Sequence, residues 1–123
     1  AIGEWMYRVL AGLDMDPSAP GYKRALIHPR PGGGFTSASA RLETIHGPVS
    51  SSWAIADGDM ELRVEVPPNT TASVRLPNAE LGEVREGGSM LSEAEGVSNP
   101  RQTENAVELT VGSGVYIFEY RWE

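Results

Sequence analysis

The side chains able to do chemistry are few and thinly spread. Asp57 with Asp59, and Glu93 with Glu95, form two carboxylate pairs spaced i and i+2. Two acids can run a hydrolysis when one is held protonated as general acid and the other stays ionised, and raising the first acid's pKa requires burial. In a strand or hairpin, i and i+2 share one face, and neither pair sits in an apolar run, so both face solvent. Asp57-Gly58-Asp59 reads as turn chemistry and Glu93-Ala94-Glu95 as a solvated loop. His28 and His46 are the only histidines, and neither has a further ligand at helical or zinc-like spacing. Zinc wants three or four N or S ligands, so no metal site is expected, nor any cofactor. Ser50-Ser51-Ser52 lacks a His or acid at nucleophile-elbow spacing. Gly32-Gly33-Gly34 lacks the Lys-Ser/Thr and helix of a phosphate loop and reads as a turn. Trp53 allows two readings: an aromatic face that stacks on a sugar ring, or a core side chain. Its register with Val49 and Ile55 favours the core.

The rest of the composition narrows the partners. At 123 residues the chain holds one domain with a single core, and 40% hydrophobic residues suffice to pack it. Ten basic against seventeen acidic residues give a net charge of −7, the wrong sign for nucleic acid or anionic membrane. The absence of Cys excludes disulfides, thiolate catalysis and Cys-ligated metals, and leaves the compartment open between cytoplasm and export. No apolar run approaches the ~20 residues of a membrane helix. Glu4 and Arg8 interrupt any signal-peptide core in Ala1 to Leu13. A chain that starts inside a helical pattern without Met reads as an excised piece.

Two periodicities organise the chain. Ile2, Trp5, Met6, Val9, Leu10 and Leu13 fall on one helical stripe, which predicts a helix over residues 1–13 stopped by Gly12 and Pro17. Residues 14–22 then read as a linker. From residue 23 onward the period is two. Ala38, Ala40 and Leu42, then Val49, Ser51, Trp53 and Ile55, then Leu62, Val64 and Val66 alternate with polar residues. Ala72, Val74 and Leu76, and later Val107, Leu109 and Val111, continue the series. Val115 to Tyr120 is apolar on both faces, the pattern of a central strand or of contact with a neighbour. Asp57-Gly58, His46-Gly47-Pro48 and Gly112-Ser113-Gly114 are hairpin punctuation, and Pro67-Pro68-Asn69 ends a strand. These features predict a mainly β, antiparallel, jelly-roll-like sandwich over residues 23–123, preceded by one α-helix.

Ordered runs of residues carry a family resemblance. Gly3-Glu4-Trp5-Met6-Tyr7-Arg8 is similar to the last barrel helix of bacterial α-L-rhamnosidases. Gly33-Gly34-Phe35-Thr36-Ser37-Ala38-Ser39-Ala40, Gly47-Pro48-Val49-Ser50-Ser51-Ser52-Trp53 and Val64-Glu65-Val66-Pro67-Pro68-Asn69-Thr70-Thr71-Ala72 resemble strands of the sandwich domain that follows it. Val111-Gly112-Ser113-Gly114-Val115-Tyr116 resembles that domain's end. The resemblance implies an inverting glycoside hydrolase whose α/α barrel removes terminal α-L-rhamnose with two glutamates. Both glutamates belong to the barrel, upstream of this chain, so no catalytic residue is transferred here.

The expectation is therefore a non-catalytic scaffold domain partnered by the α/α barrel of the same polypeptide. The alternative is an independent carbohydrate-binding sandwich resting on Trp53 and Trp122. A third expectation concerns the helix: Ile2, Trp5, Met6, Val9, Leu10 and Leu13 form a barrel contact, or the contact of a homodimer when the barrel is missing.

Overall fold

The computed structural model describes residues 11–15, 24–31, 34 and 36–122. Two sheets stack face to face. One is five-stranded: β1 (Leu13–Met15), β2 (Arg24–Ile27), β6 (Thr71–Pro77), β10 (Ala106–Val111) and β9 (Val97–Gln102), in that spatial order. The other is six-stranded, in the order β3 (Ser37–Thr44), β4 (Gly47–Ala56), β5 (Asp59–Val66), β11 (Gly114–Arg121), β7 (Arg85–Glu86) and β8 (Ser89–Met90). Every pairing is antiparallel except β2 with β6. This is the β-sandwich that the period-two alternation predicts. Among the described residues, no helix is long and apolar enough to cross a membrane.

The alternation sorts side chains as expected. Val49, Trp53, Leu62, Val64, Tyr116, Phe118 and Tyr120 of the six-stranded sheet meet Ile27, Val74, Leu76, Val107 and Leu109 of the other. Trp53 and Phe118 are among the largest fully buried side chains. Their burial removes much apolar area from water, at roughly 25 cal/mol per Å². Strand β11 lies between β5 and β7, the central place that its two apolar faces predict. Its outward Val115 stays half exposed. Tyr120 crosses the core, and its hydroxyl donates to the Pro77 carbonyl at 2.7 Å, tying the two sheets together. Burial pushes that phenol's pKa well up. Tyr116 donates to the Gly112 carbonyl at 3.0 Å and fixes the crossing into β11.

Asp57-Gly58 closes the β4–β5 hairpin with both residues at positive φ, 53° and 81°. That is the geometry of a primed turn matched to strand twist. Gly112-Ser113-Gly114 behaves differently from its predicted hairpin role, because β10 and β11 lie in different sheets. Its glycines carry the chain from one layer to the other.

The N-terminal boundary also differs from the sequence reading. Ile2, Trp5, Met6, Val9 and Leu10 lie outside the described residues. Leu13, read as the last position of the helical stripe, is instead the first residue of β1 and is buried in the sandwich core. Asp14 and Met15, read as linker, pair with Leu26 and Ala25 of β2. The cause is Gly12, which takes φ +73° and turns the chain. Its carbonyl accepts from the His28 amide at 2.8 Å, starting the β1–β2 ladder. One residue further back, Ser51 donates its hydroxyl to the Ala11 carbonyl at 2.9 Å inside the core. Leu13 thus fits a helical period and a strand equally well, and the partner strand decides.

Candidate functional site

The outward face of the five-stranded sheet gathers charge. In β6, Arg75 stands between inward Val74 and Leu76; in β10, Glu108 stands between inward Val107 and Leu109. Register places Arg75 opposite Glu108, and Glu108 opposite Arg101 of β9. Because Ile27 pairs with Val74, His28 follows beside Arg75. A row His28, Arg75, Glu108, Arg101 therefore runs from the end of β2 across β6, β10 and β9. Glu108 divides its carboxylate, one oxygen to Arg75 at 3.0 Å and the other to Arg101 at 2.9 Å. Such partly exposed pairs add little stability each, so the row is better understood as positioned charge.

This row floors a groove of about 700 Å³, rimmed by Asp14, Leu26, Arg30 and Ser73. The Arg75 Nε–H is buried and has no hydrogen-bond partner among the described residues. Partial burial holds His28 below the ordinary imidazole pKa, helped by Arg30 and Arg75 and opposed by Glu108. The imidazole is thus kept neutral beside the guanidinium groups.

The sequence candidates fall elsewhere. Asp57 and Asp59 sit exposed at the β4–β5 turn, where Asp59 meets Arg121 at 3.4 Å. Glu93 ends a 3-10 turn and Glu95 lies in the following turn, both in solvent. Among the described residues no three His, Asp or Glu come together as a metal site. His46 sits in the β3–β4 hairpin, its amide donating to Thr44 Oγ1 at 3.1 Å. Ser50 reaches Glu65 at 3.4 Å and Ser51 is spent on Ala11, so neither is set up as a nucleophile. Gly34 occupies a turn; Gly32 and Gly33 lie outside the described residues. Trp53, the candidate sugar contact, is 1% exposed. It packs in the hydrophobic core, the reading that its register with Val49 and Ile55 favours. Trp122 is only partly exposed and leans on Tyr120, ring centres 6.4 Å apart.

Sequence reasoning missed the groove. Arg75 lies 33 residues before Glu108 and Arg101 lies 7 before it, and only sheet register unites the three. The outward position of Arg75 and Glu108 was readable from alternation within β6 and β10; that of Arg101, in the polar β9, and the neighbours of all three were not.

A two-layer antiparallel sandwich with one charged outer face is a module class shared by many unrelated proteins, and the fold alone assigns no activity. The comparisons are more specific. Residues 12–90 match the family described as bacterial alpha-L-rhamnosidase C-terminal domain, and the chain belongs to that family. It is 48% identical over 77 residues to an alpha-L-rhamnosidase of Streptomyces avermitilis, a match covering 63% of this chain and 7% of the relative. A second, from Formosa agariphila, is 34% identical over 122 residues, covering 99% of this chain and 13% of the relative. Among solved structures, the Streptomyces avermitilis alpha-L-rhamnosidase complexed with L-rhamnose superposes with a TM-score of 0.78 at 37% identity. That superposition covers 98% of this chain and 11% of the other. The alpha-L-rhamnosidase of Dictyoglumus thermophilum gives 0.79 at 33% identity, covering 95% of this chain and 13% of the other. A Flavobacterium johnsoniae dextranase, at 11% identity and a TM-score of 0.63, shares the fold alone. The chain thus spans about a tenth of the length of these relatives.

Proposed function

We propose that this chain is a non-catalytic accessory domain of an α-L-rhamnosidase, scaffolding a catalytic α/α barrel carried by the same polypeptide. The observation that carries this reading is the exposure of Asp57, Asp59, Glu93 and Glu95. Inverting glycoside hydrolysis needs two carboxyl groups about 6.5–9.5 Å apart, one with its pKa raised by its surroundings. These four carboxyl groups lie in open solvent, without the enclosed setting that such a pair requires. Membership in the rhamnosidase C-terminal domain family supports the choice of parent.

Two anchors support the scaffold role. Ser51 holds the Ala11 carbonyl and His28 holds that of Gly12, at 2.9 and 2.8 Å. They pin residues 11 and 12, where the described N-terminal segment begins, to the sandwich. A segment leaving a rigid sheet at two fixed hydrogen bonds transmits orientation to whatever precedes it. Deletion in the parent enzyme tests this. Removing the domain should lower the melting temperature and the soluble yield of the barrel, while the folded remainder keeps its kcat on an aryl rhamnoside. Lost kcat with unchanged melting would mean that the domain supplies catalytic groups.

A further inference from the structure

The groove over β2, β6, β10 and β9 is not explained by the accessory-domain reading alone. Its charge runs against the chain as a whole. Arg30, Arg75 and Arg101 face only two carboxylates, Asp14 and Glu108, within a protein of net charge −7. Asp14 and Glu108 are both already engaged. Arg30 is exposed, with no ion-pair partner among the described residues, and the Arg75 Nε–H is buried without an acceptor. The Arg75 side chain is 42% exposed and only its Nη1 meets Glu108, so further guanidinium N–H groups face the groove, and a guanidinium edge fits a planar carboxylate through two parallel hydrogen bonds. Glu108 fixes both arginine side chains, so little rotamer entropy remains to be lost when a ligand arrives. The volume, about 700 Å³, lies in the range of small-molecule sites. Ser73 and the neutral His28 can exchange hydrogen bonds with hydroxyls, while none of the described residues lining the groove is an aromatic platform for stacking a neutral sugar.

We propose that this groove binds an organic carboxylate of sugar-ring size, a uronic acid unit, with Arg75 and Arg30 as the carboxylate clamp. The choice of a saccharide rests on the accessory-domain reading; the carboxylate rests on the groove itself. Neither depends on Trp53.

The experiment uses the full 123-residue chain with the side chains of Arg and His observed by NMR. Glucuronate and galacturonate are titrated in parallel with glucose, acetate and sodium chloride. Saturable shifts of the Arg75 Nε–H and His28 signals are expected with a uronate, with the His28 pKa rising as an anion settles beside it. Glucose and chloride should leave these signals in place, and acetate should bind more weakly than the uronates. Arg75→Gln should weaken uronate binding about tenfold or more, the loss of a charge-assisted hydrogen bond. Arg30→Gln should weaken it too, and this exposed side chain can be changed without disturbing the fold. Shifts that fail to saturate, or that chloride reproduces, would overturn the site. Uronate binding unchanged in Arg30→Gln and Arg75→Gln would also overturn it. Acetate binding as tightly as the uronates would refute the sugar-acid assignment. None of these outcomes bears on hydrolysis or on barrel stability, so the accessory-domain reading stands or falls separately.

Discussion

Replacing Gly12 by alanine should uncouple the N-terminal segment from the sandwich. A Cβ built there would lie 1.8 Å from the His28 carbonyl oxygen and 2.0 Å from its carbon. Those are backbone atoms of the neighbouring strand's exit, so no rotamer change relieves the clash. Alanine at φ +73° also carries the left-handed penalty, about 1–2 kcal/mol. Moving the segment breaks the His28 amide bond to Gly12, worth about 0.5–1.5 kcal/mol. It also lifts Leu13, 3% exposed, part-way out of the core, forfeiting a share of the roughly 1.5–3 kcal/mol of its burial. The sum is about 3–5 kcal/mol, which for a chain of this size lowers the melting temperature by roughly 10–20 °C. Gly34→Ala is the control: φ is +87° but nothing lies within 4 Å, so only the backbone penalty of about 1 kcal/mol applies. Thermal unfolding of both variants by circular dichroism decides the matter. If Gly12→Ala melts with the parent, or Gly34→Ala is the worse of the two, the argument from the close approach at His28 is wrong.

Further outcomes follow from the same structure. Trp53→Ala should cost about 3–5 kcal/mol, seen as a lower urea midpoint, because a fully enclosed indole is removed from the core. A variant as stable as the parent would put the ring at the surface. Because His28 is held below its ordinary pKa of 6.5, its stabilising contribution is complete above that value. It is lost as pH falls and the unfolded chain takes up a proton first. The urea midpoint should therefore fall more steeply below about pH 6.5 in the parent than in His28→Gln; equal slopes would contradict this. The helical stripe Ile2, Trp5, Met6, Val9 and Leu10, if left without a barrel, is expected to pair two copies of the chain. Light scattering should then show a dimer for the full chain and a monomer for one starting at Ala11, and two monomers would refute the pairing.

Much of the sandwich was legible because alternation is local. Leu62, Val64 and Val66, or Ala72, Val74 and Leu76, declare their buried face within a few residues. Asp57-Gly58 declares its turn through residues that tolerate positive φ. What was not legible depends on partners distant in the chain. Leu13 satisfied a helical stripe on paper, yet the residue before it turns the backbone and Ile27 supplies a strand to pair with. Gly112-Ser113-Gly114 has the composition of a hairpin, but composition cannot say whether the next strand returns to the same sheet. The groove escaped for the same reason: Arg75, Glu108 and Arg101 are ordinary outward residues until register aligns them. Trp53, by contrast, was legible from local alternation: its register with Val49 and Ile55 favoured the core, and Val49 and Ser51 are buried with it.

The central claim is that this chain carries no rhamnosidase chemistry of its own. The direct measurement is hydrolysis of an aryl α-L-rhamnoside by the purified 123-residue chain. Release of the aryl group should not rise above the buffer rate, and Asp57→Asn and Glu93→Gln should behave like the parent. Turnover that survives repurification and disappears in either variant would place the chemistry in this domain and contradict the account.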